Sequence, residues 1–231
     1  MKGSLDAAIV DLDGTMVDTL GDFDEALNRM LAELHLPSVR RPQIEALVGK
    51  GSEHLIRSVL ALVTMGDSAI RNEAIEAQYP QAWESYQRHY LDINGQYSDV
   101  YPGVIDGLQA LQALGLPMAC LTNKPTAFAR PLLQAKGLDG FFSVVFGGDA
   151  FERKKPDPLP LLKTCAALGV PPARTLMVGD SSNDAQAARA AGCPVVLVTY
   201  GYNHGQSVDA VDCDGRVAAL TALSGWLTTR R

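Results

Sequence analysis

The sequence predicts an α/β fold, a Rossmann-like parallel sheet core with an inserted all-helical cap domain. Three observations predict it. Short apolar runs at 7–10, 117–123, 142–147, 175–180 and 194–200 alternate with helical patterns, as in a parallel sheet covered on both faces. The stretch from about 17 to 92 carries helical periodicity and no convincing strand. Acids, hydroxyls and lysines collect just after the apolar runs or in the loops between them, the end at which such sheets bind ligands.

Composition narrows the function classes. The 231 residues fit one medium domain or a core with a smaller insert, and 47% hydrophobic residues are enough for a sizeable core. A net charge of −6 without a long basic run argues against nucleic acid as the main partner. No apolar stretch approaches membrane-span length, and Met1–Asp6 has no signal-like apolar region, so the expected location is the cytoplasm. Cys120, Cys165, Cys193 and Cys213 are widely spaced and include no C-x-x-C, which points to reduced thiols rather than a disulfide or zinc framework. His35, His54, His89 and His204 form no metal-spaced pair and read as surface or capping residues. The pattern specifies no oligomeric state.

Taken in order, Ala7–Val10 reads as a buried strand that ends in Asp11, Asp13, Gly14 and Thr15. Two carboxylates at the end of a buried strand are costly unless a cation or hydrogen-bond donors receive them. A divalent ion such as Mg²⁺, which prefers oxygen ligands, is the obvious receiver. Phe23, Ala26, Leu27, Met30, Leu31 and Leu34 then form one helical stripe. Further helices are expected at about 41–48, 52–64 and 67–92, with Ser52 as an N-cap after the flexible basic loop Gly49-Lys50-Gly51. That loop reads equally as a substrate-facing element, with Lys50 or backbone amides meeting a carboxylate, and as a plain helix–helix turn. From Tyr101 the chain alternates. Helices are expected at 104–114, 127–136, 158–168 and 183–191, between the strands already named.

The residues at the strand ends form a complementary set. Asp11, Asp13, Asp180 and Asp184 can offer oxygen ligands to Mg²⁺, Lys155 a compact positive charge and Thr122 a hydroxyl. Backbone N–H groups near Asn123 and at the helix start near Asn183 can receive anionic oxygens. Such a set suits phosphoryl transfer, where positioning and charge neutralisation carry catalysis. A carboxylate can itself be the nucleophile, and a second one can move the proton.

Asp11-Leu-Asp-Gly-Thr15, Thr122, Lys155 and Gly179-Asp-Ser-Ser-Asn-Asp184 resemble, in order and spacing, the four motifs of the haloacid dehalogenase-like hydrolases. Within that family, Thr122-Asn-Lys-Pro-Thr126, Lys154-Lys-Pro-Asp-Pro158, Ala191-Gly-Cys-Pro194 and Thr199–Gly205 are similar to the phosphoglycolate phosphatase group. The resemblance implies a core of 1–16 and 93–231 and a helical cap of 17–92. It implies a Mg²⁺-dependent phosphatase for a small phosphate ester, 2-phosphoglycolate first, working through a phosphoaspartate. Asp11 would be the nucleophile and Asp13 the general acid and base. Asp11, the backbone carbonyl of Asp13 and Asp180 would hold the metal, with Asp184 in support. Thr122, Asn123 through its backbone, and Lys155 would hold the phosphoryl group. Lys155 is preferred to Lys154 because it directly precedes Pro156, which leaves Arg153 and Lys154 as solvated charges. Asp13 separates the chain from the dehalogenases of the same fold, which lack an acid there. Two alternatives stand beside this one: a phosphomutase or sugar-phosphate phosphatase with nearly the same site, and a non-catalytic phospholigand-binding protein, which should show a damaged motif.

Overall fold

Ala7-Ala-Ile-Val10 carries no polar side chain, and in the computed structural model, which describes residues 5–64 and 68–228, all four are fully buried as strand β1. In chain order, β1 is followed by β2 (Val17–Asp18), α1 (Leu20–Glu33), α2 (Arg41–Glu45), α3 (Ser52–Val63), α4 (Ser68–Ile93) and β3 (Asp99–Val100). Then come α5 (Val104–Ala113), β4 (Met118–Leu121), α6 (Thr126–Ala135), β5 (Val144–Phe146), α7 (Leu159–Leu168), β6 (Thr175–Gly179), α8 (Ser182–Ala191), β7 (Val195–Val198), β8 (Gly215–Val217) and α9 (Leu223–Thr228).

A six-stranded, wholly parallel sheet runs in the order β5-β4-β1-β6-β7-β8. Successive side chains of a strand point to opposite faces. Accordingly Ala8 and Val10 pack with Leu108, Leu132 and Leu220 on one face, and Ile9 packs with Leu161, Met177 and Ala188 on the other. Val10 pairs with both Cys120 and Val178, so Asp11, Thr122 and Asp180 leave the sheet at the same end. Register therefore assembles the candidate site from segments far apart in sequence.

Helices α1–α4 form an insertion with its own apolar core, including Phe23, Leu27, Ile56, Leu60, Tyr86 and Tyr90. Phe128 of α6 and Tyr202 reach into that core from the sheet-bearing part. The insertion does not begin as a helix at residue 17, as the sequence reading has it. Val17 and Asp18 pair antiparallel with Val100 and Asp99, a two-stranded ribbon beneath the insertion. A two-residue pairing across more than eighty residues of chain leaves no local periodicity to detect. β8 and α9 likewise lie in a stretch for which the sequence reading assigned no element. β8 is a three-residue edge strand, too short to show alternation. No helix among the described residues is long and apolar enough to cross a membrane.

One buried acid ties the two ends of the insertion together. Asp22 of α1 is fully buried and accepts the backbone N–H groups of Gly95 and Tyr97, each at 2.8 Å, and the Ser98 hydroxyl. Asp22→Ala leaves the buried Ser98 hydroxyl and the partly buried N–H groups of Gly95 and Tyr97 without their acceptor, at about 1–3 kcal/mol for each that water does not reach. A drop in unfolding free energy of about 3 kcal/mol is expected in a denaturant titration. A change under about 1 kcal/mol would show that water replaces the carboxylate there.

Candidate active site

The turn after β1 is wound around one carbonyl: Leu12 O accepts the N–H groups of Thr15, Met16 and Val17. Gly14 has a φ of +77°, and a Cβ there would lie 2.4 Å from Asp180 Oδ2. A glycine is thus required both by backbone conformation and by the closeness of the acid from β6. Asp180 is buried and held by Tyr202 N–H at 2.7 Å and the Thr15 hydroxyl at 3.3 Å. Asp184 sits in the first turn of α8. Its Oδ2 accepts Asp180 N–H, Ser181 N–H and the Ser181 hydroxyl, which gives the helix N-terminus an anionic cap. Gly179 makes room for it, since a Cβ there would sit 2.3 Å from Asp184 Cγ.

Lys155, 3% exposed, connects these acids. Its Nζ donates to Leu121 O at 3.0 Å and to Asp184 Oδ1 at 2.7 Å, and lies 2.9 Å from Asp11 Oδ1. The contact with Asp11 is ionic but poorly aligned, so Asp11 Oδ1 remains a buried oxygen without a directed hydrogen bond. Burial alone would lower the lysine pKa, but the carboxylates of Asp11 and Asp184 outweigh it and hold the ammonium above its ordinary range. Burial pushes Asp11 up to about 7, against the pull of Lys155 and with the repulsion of Asp184. Asp180 is raised well above the usual carboxylate range, by burial first and then by Asp184 and Asp11. Carboxylate oxygens of Asp11, Asp180 and Asp184 lie within 4.8 Å of one another. Three buried acids against one lysine leave negative charge that a hard cation would offset.

The insertion roofs these residues. Asn123 Nδ2 donates to Gly49 O at 3.0 Å and to Lys155 O at 2.8 Å, while its Oδ1 accepts Lys155 N–H at 3.0 Å. Asn183 Nδ2 also donates to Gly49 O, at 3.1 Å, and His204 Nδ1 bonds Val48 O at 2.9 Å. The side chain of Asn123 thus clasps the loop 48–51 to the Lys155 backbone. Enclosed beneath is a chamber lined by Asp11, Asp13, Phe23, Leu55, Thr122 and Lys124, among others, with about 30 Å³ open to the centres of water molecules.

The structure brings Asp11, Asp13, Thr122, Asn123, Asp180, Gly49 and Gly51 to that chamber, with Lys155 and Asp184 packed against its acids. It does not bring Lys50. Lys50 is exposed and lines a separate open cleft with His54, Arg57, Arg153 and Lys154. Of the two readings of this loop, the position of the Lys50 side chain favours the plain helix–helix turn. The Gly49 carbonyl is turned inward to Asn123 and Asn183, and the next side chain is directed outward. Three further residues also meet here: Tyr202, Lys124 and His204, the last of which reads from the sequence as a surface or capping residue. Tyr202 holds Asp180, and its hydroxyl accepts the Thr19 and Leu20 N–H groups. His204 holds the roof. Lys124, 4% exposed, lies with Nζ 3.0 Å from Asp13 Oδ1 and over the rings of Phe23 and Tyr90. Its position two residues after Thr122 was the available signal.

A six-stranded parallel sheet, an α-helical insertion behind its first strand and buried acids at the strand ends define the class. The chain belongs to the haloacid dehalogenase-like hydrolases, whose family model matches residues 5–192. Among individual proteins, it is 44% identical over 222 residues to the phosphoglycolate phosphatase of Thiobacillus denitrificans, covering 96% of this chain and 95% of that one. It is 40% identical over 209 residues to the phosphoglycolate phosphatase of Escherichia coli K12, covering 86% and 83%. A crystal structure of a predicted phosphoglycolate phosphatase from Haemophilus somnus 129PT superposes with a TM-score of 0.88 at 29% identity, over 98% of this chain and 99% of that one.

Proposed function

We propose that this chain is a Mg²⁺-dependent cytoplasmic phosphatase that hydrolyses 2-phosphoglycolate to glycolate and phosphate through a phosphoaspartate on Asp11. The observation that carries the reading is the buried, undirected Oδ1 of Asp11 beside Lys155 and Asp180, at the end of the central strand. The names of the relatives at 40% and 44% identity supply the substrate. We assign residues 1–16 and 93–231 to a catalytic core and 17–92 to a cap, with the ribbon of β2 and β3 joining them.

Asp11 attacks phosphorus, and the bond to the ester oxygen breaks. Lys155 and the Thr122 hydroxyl orient and partly neutralise the phosphoryl oxygens. Asp13 gives its proton to the departing glycolate oxygen, then takes one from the water that attacks the phosphoaspartate, which regenerates Asp11 and releases phosphate. The backbone N–H near Asn123 is a further phosphoryl contact. The donor set fits Mg²⁺: all oxygens, with Asp11 Oδ1 free of directed hydrogen bonds. Asp11, the Asp13 carbonyl and Asp180 would hold the ion. Both oxygens of Asp184 are already engaged, by Lys155 and by the turn 180–181, so Asp184 acts by support. When bound, Mg²⁺ supplies charge neutralisation at the phosphoryl oxygens. The roof of residues 48–51 limits water and substrate size.

The test is a panel of phosphorylated metabolites. 2-Phosphoglycolate should show a higher kcat/KM than hexose phosphates, and a hexose phosphate turned over faster would overturn the substrate. Activity should vanish with a chelator and return with Mg²⁺. Ca²⁺ should inhibit, because its longer bonds and higher coordination number do not suit in-line transfer. Full activity in chelator would remove the metal from the reading.

A further inference from the structure

With Lys50 outside the chamber, a substrate that carries a carboxylate as well as a phosphate still needs a second cationic contact. We propose that Lys124 receives the substrate carboxylate and so sets specificity for a small phosphorylated acid. This rests on the phosphatase reading above.

Among the described residues that line the chamber, Lys124 alone is cationic. Lys155 is committed to the phosphoryl end of the site: its ammonium donates to Leu121 O and Asp184 and lies against Asp11. The Lys124 ammonium faces a single carboxylate, Asp13, at 3.0 and 3.3 Å, so it retains donor capacity for a second anion. It is also fixed in place. Phe23 of α1 and Tyr90 of α4 lie with ring centroids 4.5 and 4.7 Å from Nζ, and both belong to the insertion. A lysine of the sheet-bearing part therefore has its charge positioned by insertion aromatics, at the seam that the roof closes.

The placement suits the size of the ligand. Asp13 is two residues from Asp11 and is the proposed proton donor to the leaving oxygen. In 2-phosphoglycolate the carboxylate is separated from that oxygen by one methylene. A cation touching Asp13 is thus where the carboxylate of so short a leaving group falls. Phe23, Val48 and Leu55 present apolar walls around it, which offer no hydrogen bonds to the hydroxyls of a sugar.

The experiment compares kcat/KM for 2-phosphoglycolate with that for ethyl phosphate, which has a methyl group in place of the carboxylate. The enzymes are the wild type, Lys124→Met and Lys50→Met. Met keeps an apolar stem against Phe23 and Tyr90. Any loss through Asp13 falls on both substrates and cancels in the ratio. Lys124→Met is expected to lower the phosphoglycolate-to-ethyl phosphate ratio by about 10–10²-fold, the scale of a charge-assisted contact. Lys50→Met should leave the ratio unchanged. An unchanged ratio in a folded Lys124→Met enzyme that still hydrolyses phosphate esters overturns the role of Lys124. A ratio that falls with Lys50→Met instead also overturns it. If Lys124→Met does not fold, Lys124→Gln and the wild type with the carboxylate methyl ester of phosphoglycolate decide, and a wild type indifferent to esterification overturns the proposal. Failure of the wild type to hydrolyse any phosphate monoester is a different result, and removes the phosphatase reading itself.

Discussion

Asp11→Asn is expected to abolish turnover, by more than about 10⁴-fold, and to leave no phosphoenzyme. An amide nitrogen or oxygen has neither the charge nor the lone-pair reactivity to attack phosphorus, and none of the other acids is placed to replace it. Asp184 is occupied by Lys155 and the α8 turn, and Asp180 by Tyr202 N–H and Thr15. Single-turnover kinetics and the intact mass of acid-quenched protein read the two effects. Residual turnover near wild type would sink the nucleophile assignment. The same variant carries a second expectation. Because burial pushes the Asp11 pKa up to about 7, well above the ordinary carboxylate range, the protonated form is favoured below that pH in the metal-free fold. The stability this contributes is present at low pH and is lost as pH rises through about 7. Asn cannot ionise. Metal-free Asp11→Asn should therefore gain stability relative to metal-free wild type as pH goes from 5 to 8, and a constant difference in melting temperature would contradict that environment for Asp11.

The parts of this molecule that were legible in its sequence are those with a local signature. β1 is four apolar residues ended by two acids, and such a run reads as a buried strand whatever surrounds it. Thr122 and Asp180 could be placed with Asp11 because a parallel sheet puts the ends of neighbouring strands together, and the register does so here. The choice between adjacent lysines rested on a neighbouring proline. In the fold Lys155 is buried on Asp11 and Asp184, while Lys154 is exposed. What was not legible depends on contacts across the chain. The β2–β3 ribbon and β8 are too short to produce periodicity. Lys124 and Lys50 are both lysines in glycine- or proline-flanked loops with no local difference in chemistry. Only the direction of the Gly49 carbonyl and the ring faces of Phe23 and Tyr90 decide that one points out and the other in.

Asp13→Asn is expected to lower kcat/KM for 2-phosphoglycolate by about 10²–10⁴-fold, the usual worth of a positioned general acid or base. The variant is informative because little else changes. The side chain lines the chamber at 12% exposure, its polar partner among the described residues is Lys124, and an Asn oxygen can still accept from that ammonium. The backbone carbonyl proposed for the metal is untouched. The effect should depend on the leaving group. An alkoxide such as glycolate departs poorly without a proton, so its transfer bears the full loss. A nitrophenolate departs unaided, so the first step with an aryl phosphate should be nearly spared. With such a substrate the loss moves to hydrolysis of the phosphoaspartate, where Asp13 acts as base, and the phosphoenzyme should accumulate after a burst of one nitrophenolate per active site. Equal losses for alkyl and aryl substrates, with no burst, would place Asp13 in the organisation of the chamber rather than in proton transfer.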